Sequence, residues 1–507
     1  MSKSFPSENI KGWATIGDEA KRILDGLKLP GFDSVWTDGE WDGEVFDNRS
    51  GINQSVICSV PQFGPKEIEL VVNKANQAVS GSGGWAAMSA LERKSKILDF
   101  RLRILKHADE LAMLDCIDVG KPYQIARAVD VQSAARSLEW YAELADKFYG
   151  ELAPTNNLDA ISYQPLGVVS ALVPWNYPIM IAAWKFAPML AAGNAVILKP
   201  AEQSPLSAMR LMEIARESDL PPGVFNVVTG DGETTGQALI QHVDVHGVGF
   251  TGSSETGKVV IGAANSRRLK PVSLECGGKS PAVLFDDCNV EKAVKLIAAG
   301  IFYNAGQSCN APTRVLAHES IVEQVIDMFV EEAKEYLPNN PLSGDSKVGS
   351  IVDRIQYEKV VSLTEQAVNM GCDVAYGSTE RMFEETGGYY ISPMVLTNVS
   401  RESPAFQEEI FGPILPITSF STDDEAIELA NDSRYGLWAN VFTTSLDRAL
   451  KSAKQIDAGT VATNVTFGGD ITTPFGGFKD SGIGRDRSTH ALVKYMNVKH
   501  TSLVPNS

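Results

Sequence analysis

Residues 167–198 read GVVSALVPWNYPIMIAAWKFAPMLAAGNAVIL, the most apolar stretch of the chain. Its length fits a membrane helix of about 20 apolar residues, but Pro174, Pro178, Lys185, Pro188 and the Gly193-Asn194 pair interrupt it. It reads instead as strand, turn, buried helix, turn, strand. The same alternation continues outward: "AVILK", a helix at 204–217, "VFNVV", a helix at 233–241, "VHGVGFTG", a helix at 254–264, then "PVSLE". Short β-branched runs separated by helices specify a parallel sheet covered on both faces. A second set follows, with "PAVLF", a helix near 290–305, "TRVLA", and helices at 319–336 and 354–370. The fold class is therefore α/β, with two doubly wound parallel sheets in tandem and a boundary at Gly277-Gly278. Upstream, residues 65–150 carry amphipathic helical spacing. The tail, "STHALVKYMNVKHTSLV", ends in a β-prone run that needs a pairing partner.

The 507 residues are 44% apolar and 21% charged, with a formal charge of −18 from 45 Lys+Arg against 63 Asp+Glu. That excess of acid argues against nucleic acid as a partner. The six cysteines show neither C-x-x-C spacing nor paired clusters, and the six histidines are scattered, so reduced thiols and no metal are expected. "MSKSFPSENIKGW" has no apolar core behind its lysine and does not read as a secretory signal, which leaves a cytoplasmic protein without a membrane span as the expectation.

Chemistry concentrates in a few strand ends and turns. "YNAGQSCNAPTR", 303–314, sets Cys309 after a Gly-Gln-Ser turn, where a buried structural thiol gains little. A small core cysteine is the ordinary reading of such a residue taken alone. Asn176 in "VPWNYP" sits on a strand-to-helix loop that can hold its amide as a fixed donor. Glu275 in "SLECGGKSP" ends a β-run before two glycines, which permit close backbone approach. Lys199 and Glu202 in "LKPAEQSP" follow a strand end, where ligands bind in open α/β sheets. In "FTGSSETGK", Gly252-Ser253 opens a helix N-terminus suited to phosphate. Each alone also reads as an Asx turn, a solvated strand end, a surface ion pair or a simple cap. No G-x-G-x-x-G follows a strand.

Taken together, "VPWNYP", "ILKPAEQSP", "FTGSSETGK", "LECGGKSP", "NAGQSCNAPTR", "EEIFGP" and "PFGGFKDSGIGRD" resemble, in order and spacing, the NAD(P)-dependent aldehyde dehydrogenase superfamily from about residue 45 onward. The resemblance implies that Cys309 is the nucleophile that forms a thiohemiacetal, with the oxyanion held by Asn176 and the Cys309 N–H. Loss of hydride to the nicotinamide then leaves a thioester, which water activated by Glu275 hydrolyses. It places Trp175 and Lys199 beside the adenosine, Glu202 on the ribose hydroxyls, Gly232 and Gly236 around the adenine, Gly252 and Ser253 at the pyrophosphate, and Glu409 with Phe411 at the nicotinamide end. NAD is the expected cofactor and NADP the weaker alternative, because the Glu202 carboxylate accepts from a 2′-hydroxyl but repels a 2′-phosphate. Cys276 departs from the usual Leu after the base and puts a second thiol near the first.

The resemblance is nearest to the γ-glutamyl-γ-aminobutyraldehyde and ω-amino aldehyde branch. Tyr177, Trp184, Phe467 and Phe475 are expected to line the substrate tunnel, by stacking or by ring-face attraction to a cation. Asp470 at the mouth, with Asp115 and Asp118, would add negative charge. A broad-specificity, betaine or aryl aldehyde dehydrogenase stays open, and so does a thiol-dependent esterase without a redox step. The implied layout has 1–150 and 167–276 as the NAD-binding domain, 277–480 as the catalytic domain, and 151–166 with 490–507 as a small β arm that joins a homodimer or homotetramer.

Overall fold

The computed structural model describes residues 16–504, so the stretch read as lacking a secretory signal lies outside the described residues. Residues 167–198 form strand Val168–Leu172, helix Pro178–Ala191 and strand Ala195–Lys199. The two strands are parallel, in register from Val168 opposite Ala195 to Leu172 opposite Lys199, and both are buried along their length. Pro178 occupies the first helical turn, where its missing N–H costs nothing. Lys185, the charge inside this apolar helix, is buried 2.7 Å from the Asp486 carboxylate. Asn194 accepts from the Gly167 N–H at 2.9 Å and donates to the Tyr495 carbonyl at 3.0 Å, tying the helix exit to the C-terminal segment. No helix among the described residues is long and apolar enough to cross a membrane.

The first sheet has the order Gly482–Ile483, Val272–Glu275, Gly247–Thr251, Val168–Leu172, Ala195–Lys199, Phe225–Val227. Successive strands leave Val168–Leu172 in opposite directions, so a switch point opens between it and Gly247–Thr251. The sheet is not wholly parallel, as the alternation had implied. Gly482 and Ile483 return from far along the chain and pair antiparallel with Glu275 and Leu274. Gly482 adopts φ +138, and a Cβ there would lie 2.1 Å from the Leu274 carbonyl oxygen.

The second sheet runs Asp373–Tyr376, Met394–Thr397, Ile414–Phe420, Arg314–His318, Pro281–Leu284, Trp438–Phe442, Thr460–Thr463. Its first pair is antiparallel and the rest are parallel. The β-prone tail finds a partner within its own chain. Met496–Leu503 pairs antiparallel with Leu158–Pro165 over eight residues, and Glu151–Ala153 adds a third strand.

Candidate active site

The first sheet delivers its polar residues to one end. Trp175 and Asn176 follow strand Val168–Leu172, Lys199 ends the neighbouring strand, and Ser253 follows Gly247–Thr251 as N-cap of helix Ser254–Ala264. Glu275 is the last residue of Val272–Glu275. These are the carboxyl ends of the strands on either side of the switch point, where a doubly wound sheet leaves a crevice.

Cys309 enters that crevice on an unusual turn. After helix Val290–Phe302, Asn304, Ala305 and Gly306 take φ of 52°, 54° and 73°, three left-handed residues in succession. Only Gly306 adopts this region without strain, and a Cβ there would lie 2.1 Å from the Gly412 carbonyl oxygen. Side-chain amides hold the turn. Gln307 Nε2 donates to the carbonyls of Asn304 (3.0 Å) and Ser350 (3.1 Å), while its Oε1 accepts from the Val352 N–H at 3.0 Å. Asn176 Nδ2 donates to the Gln307 carbonyl at 3.0 Å, and Asn304 Nδ2 donates to the Asn176 carbonyl at 3.1 Å. An amide nitrogen carries two N–H groups. The bond to Gln307 therefore fixes Asn176 and leaves its second hydrogen for another acceptor.

The titrating groups here are all buried. Burial, with the carboxylates of Glu409 and Glu275 nearby, pushes the Cys309 thiol up to about 12, against the pull of the N–H groups of residues 309 and 310. Glu275 is 2% exposed, and neither carboxylate oxygen has a hydrogen-bond partner. Its Oε1 lies 2.8 Å from where a Cβ on Gly476 would stand. Burial and the neighbouring Asp486 raise it to about 8, while Lys185, Lys494 and Arg485 oppose the rise. Glu409 is held by the Gly278 N–H at 2.8 Å. The other thiol, Cys276, is free and buried; its sulfur faces Gly257, and burial beside Glu275 pushes it up to about 12.

A cavity of about 160 Å³ is walled by Cys309, Cys276 and Glu409 with Trp175, Asn176, Ser253, Gly277 and Phe411, and Glu275 lies just outside this lining. Its lining suits the nicotinamide end of a dinucleotide, whose remainder would run out along the strand ends toward Lys199 and Glu202. Trp175 and Phe411 form an edge-to-face wall with centroids 5.5 Å apart. Ser253 lines the cavity and caps helix Ser254–Ala264, and a helix N-terminus favours an anion. Gly277 leaves room beside Glu409, because a Cβ there would come within 2.3 Å of its Oε2. Lys199 is buried and donates to the Pro200 carbonyl at 2.9 Å. The half-buried Glu202 carboxylate forms a loose ion pair with that ammonium at 3.8 Å and keeps acceptor capacity for a further donor. Gly232 and Gly236 bound a π-helical turn capped by Asp231, and Gly232 faces open space.

The expected tunnel residues divide. Trp184 and Phe475 pack with Cys309, in a cluster completed by Leu437, Trp438 and Ala462. Tyr177 lies behind the turn, its hydroxyl donating to Ser308 Oγ at 3.2 Å. Phe467 is 45% exposed and stands outside the cluster. Asp470 is paired with Arg136 at 3.1 Å, and Asp118 is buried, binding Asn48 Nδ2 at 2.7 Å and the Leu206 N–H at 3.0 Å. Asp115 is buried too, and desolvation raises it to about 7. None of the three carboxylates lends the tunnel a free negative charge as expected. Three residues that no sequence motif marks also reach the site: Trp438 in the cluster with Cys309, and Lys359 and Gln356 in the cavity wall, Gln356 donating to the Phe411 carbonyl at 2.9 Å and steadying that left-handed residue.

The model of the aldehyde dehydrogenase family matches residues 36–501. The NADP/NAD-dependent aldehyde dehydrogenase PuuC of Escherichia coli (strain K12) is 40% identical over 461 residues, covering 90% of this chain and 92% of that protein. Among solved structures, the gamma-glutamyl-gamma-aminobutyraldehyde dehydrogenase of Burkholderia cenocepacia J2315 superposes with a TM-score of 0.93 at 40% identity, covering 96% of this chain and 99% of that one. An indole-3-acetaldehyde dehydrogenase complexed with NAD+ gives a TM-score of 0.93 at 38% identity, with the same coverage.

Proposed function

The chain belongs to the aldehyde dehydrogenase family, whose members oxidise aldehydes with NAD(P), and from that premise we propose that Cys309 attacks an ω-amino or γ-glutamylamino aldehyde to yield the carboxylic acid. The observation that carries this reading is the strained, amide-pinned turn that sets Cys309 in the cavity beside Asn176. A sulfur–carbon bond forms as the carbonyl π pair moves onto oxygen. The second Asn176 N–H and the Cys309 N–H hold that oxyanion. Bound in the cleft, the nicotinamide supplies the acceptor for the aldehyde hydride. A thioester then remains on Cys309. Glu275 takes a proton from water as the water adds, the carbon–sulfur bond breaks, and the acid leaves. Burial keeps the Cys309 thiol protonated, so as attack proceeds its proton passes to water, and on hydrolysis the proton taken up by Glu275 returns to the departing sulfur. NADH production from ω-amino, γ-glutamylated, quaternary-ammonium, aryl and alkyl aldehydes tests the substrate class. A clear preference for aryl or betaine aldehydes would overturn it.

NAD is the preferred cofactor on the strength of the Glu202 carboxylate, which keeps acceptor capacity beside its loose ion pair with Lys199. Replacing Glu202 with Ser removes its repulsion of a 2′-phosphate, and the ratio of kcat/KM with NADP to that with NAD is expected to rise by about 10- to 100-fold. A wild-type enzyme already faster with NADP would contradict the assignment.

We also assign 277–480 to a catalytic domain, and the segments 151–166 and 490–507, whose strands Glu151–Ala153, Leu158–Pro165 and Met496–Leu503 form one sheet, to an arm that joins a dimer or tetramer. That sheet projects exposed side chains along Met496–Leu503 and has edges of the kind proteins cover. Deleting the last ten residues removes most of the strand paired with Leu158–Pro165. Sedimentation is expected to show smaller species, with activity down by at least about tenfold. A fully active monomer at micromolar concentration would refute the arm.

A further inference from the structure

One cation lies against the aromatics beside Cys309 without a salt-bridge partner among the described residues, Asp486 and Asp470 acting on it only at longer range. The Arg487 guanidinium lies 4.9 Å over the Trp184 ring and 4.8 Å over the Phe475 ring, the two aromatics that pack with Cys309. Its Nε is buried without a hydrogen-bond partner, and no carboxylate among the described residues pairs with it directly. The nearby acids are committed elsewhere. Asp486 sits 2.7 Å from both Lys185 and Lys494. Asp470 binds Arg136 and accepts from the Thr472 hydroxyl at 2.6 Å. Lys121, over the Tyr177 ring at 3.7 Å, is itself paired with Asp130. Arg487 is near enough to the Cys309 sulfur for their charges to interact.

The backbone aims this side chain. Arg487 takes φ 58 and ψ 178, a region natural to glycine and strained for any other residue. The residues on either side fix it there. Asp486 exchanges two backbone hydrogen bonds with Phe475, at 2.7 and 2.8 Å, and the Ser488 N–H donates to the Ile471 carbonyl at 2.8 Å. A strained conformation held from both sides is more than the packing of a surface arginine requires. The guanidinium lies against two rings that touch each other, with centroids 5.4 Å apart, and a guanidinium with no salt-bridge partner offers a fork of N–H donors that a carboxylate matches.

We propose that Arg487 determines specificity by binding a carboxylate at the far end of the aldehyde whose carbonyl reaches Cys309. This rests on the aldehyde-oxidising reading above and narrows it. A free ω-ammonium group would approach a guanidinium that no direct ion pair neutralises and is disfavoured. γ-Glutamylation turns that nitrogen into a neutral amide and adds an α-carboxylate several atoms further out, beside an α-ammonium.

The test compares kcat/KM for three aldehydes of matched reach, 5-oxopentanoate, pentanal and 4-aminobutanal, with NADH formation as the readout. Wild-type enzyme is expected to favour the carboxylate over the neutral chain and the neutral chain over the amine. In Arg487→Met the ratio of 5-oxopentanoate to pentanal is expected to fall by about 10- to 100-fold, mainly through KM. Arg487→Lys, which keeps the charge and loses the fork, is expected to lose less of that ratio while still rejecting the amine. If Arg487→Met does not fold, glutarate but not 1-aminopentane is expected to compete with pentanal on the wild-type enzyme. An unchanged ratio in the Met variant, or equal inhibition by glutarate and the amine, overturns the role of Arg487. Failure of wild-type enzyme to oxidise any of the three would instead defeat the functional reading itself.

Discussion

Cys309→Ala is expected to lose NADH formation with every aldehyde by at least about 10⁴-fold, and to lose any hydrolysis of activated esters with it. No other group on this turn can form the covalent adduct. Ser308 shares its hydroxyl with Tyr177 and Asn310, and Cys276 turns its sulfur away toward Gly257. The turn itself stands on Asn176, Asn304 and Gln307, none of which bonds to the thiol, so the variant folds and keeps its nucleotide cleft. Nucleotide binding by the inactive variant, followed by quenching of tryptophan fluorescence, separates lost chemistry from lost structure. Cys276→Ala is expected to retain the greater part of turnover. Ester hydrolysis that survives in Cys309→Ala would remove this residue from the mechanism. A wild-type enzyme that hydrolyses esters but forms no NADH would favour the esterase reading.

Much of this site lay in plain view because strand ends carry it. The runs "GVVSALV", "AVILK" and "PVSLE" are short, β-branched and bounded by turns, so their ends could be located, and with them Asn176, Lys199 and Glu275. What stayed hidden depends on contacts across long stretches of chain. Nothing local in "SGIG" says that Gly482 and Ile483 pair with Glu275 and Leu274 some two hundred residues earlier. The partner of Met496–Leu503, over three hundred residues upstream, is equally invisible. The tunnel shows the same divide. Trp184 and Phe475 were chosen as aromatics near motifs, but Phe467, chosen on the same ground, is exposed, and Trp438 reads as an ordinary strand residue until the second sheet brings it to Cys309. Arg487 follows a recognised motif, yet its direction depends on a positive φ at a residue other than glycine. Composition does not encode such a conformation, because the surrounding structure imposes it. Asn304 and Ala305 are hidden for the same reason, although an asparagine two residues before a glycine is a usable turn signal.

Removing the base isolates the second half of the reaction. Glu275→Gln keeps the shape of the side chain and cannot accept a proton, so acylation of Cys309 proceeds while hydrolysis stalls. The expected result is a burst of about one NADH per active site, then steady turnover slower by about 10²- to 10⁴-fold. The pH dependence gives an independent check. Burial beside Asp486 raises the Glu275 carboxyl to about 8, and a base works only when deprotonated. Where hydrolysis of the thioester limits the rate, wild-type kcat therefore rises with pH up to about 8 and levels off above it. In Glu275→Gln that limb disappears, since no carboxyl is left to titrate. The position of Glu275 explains why the group is both a capable base and a guarded one. With neither oxygen hydrogen-bonded and one of them close against Gly476, the carboxyl is poorly solvated and basic, but it must turn from Gly476 toward the thioester to deliver that basicity. Filling the space at Gly476 with Ala would put a methyl 2.8 Å from Oε1 and constrain that turn. Unchanged steady turnover in Glu275→Gln, with the pH limb intact, would mean that another group activates the water.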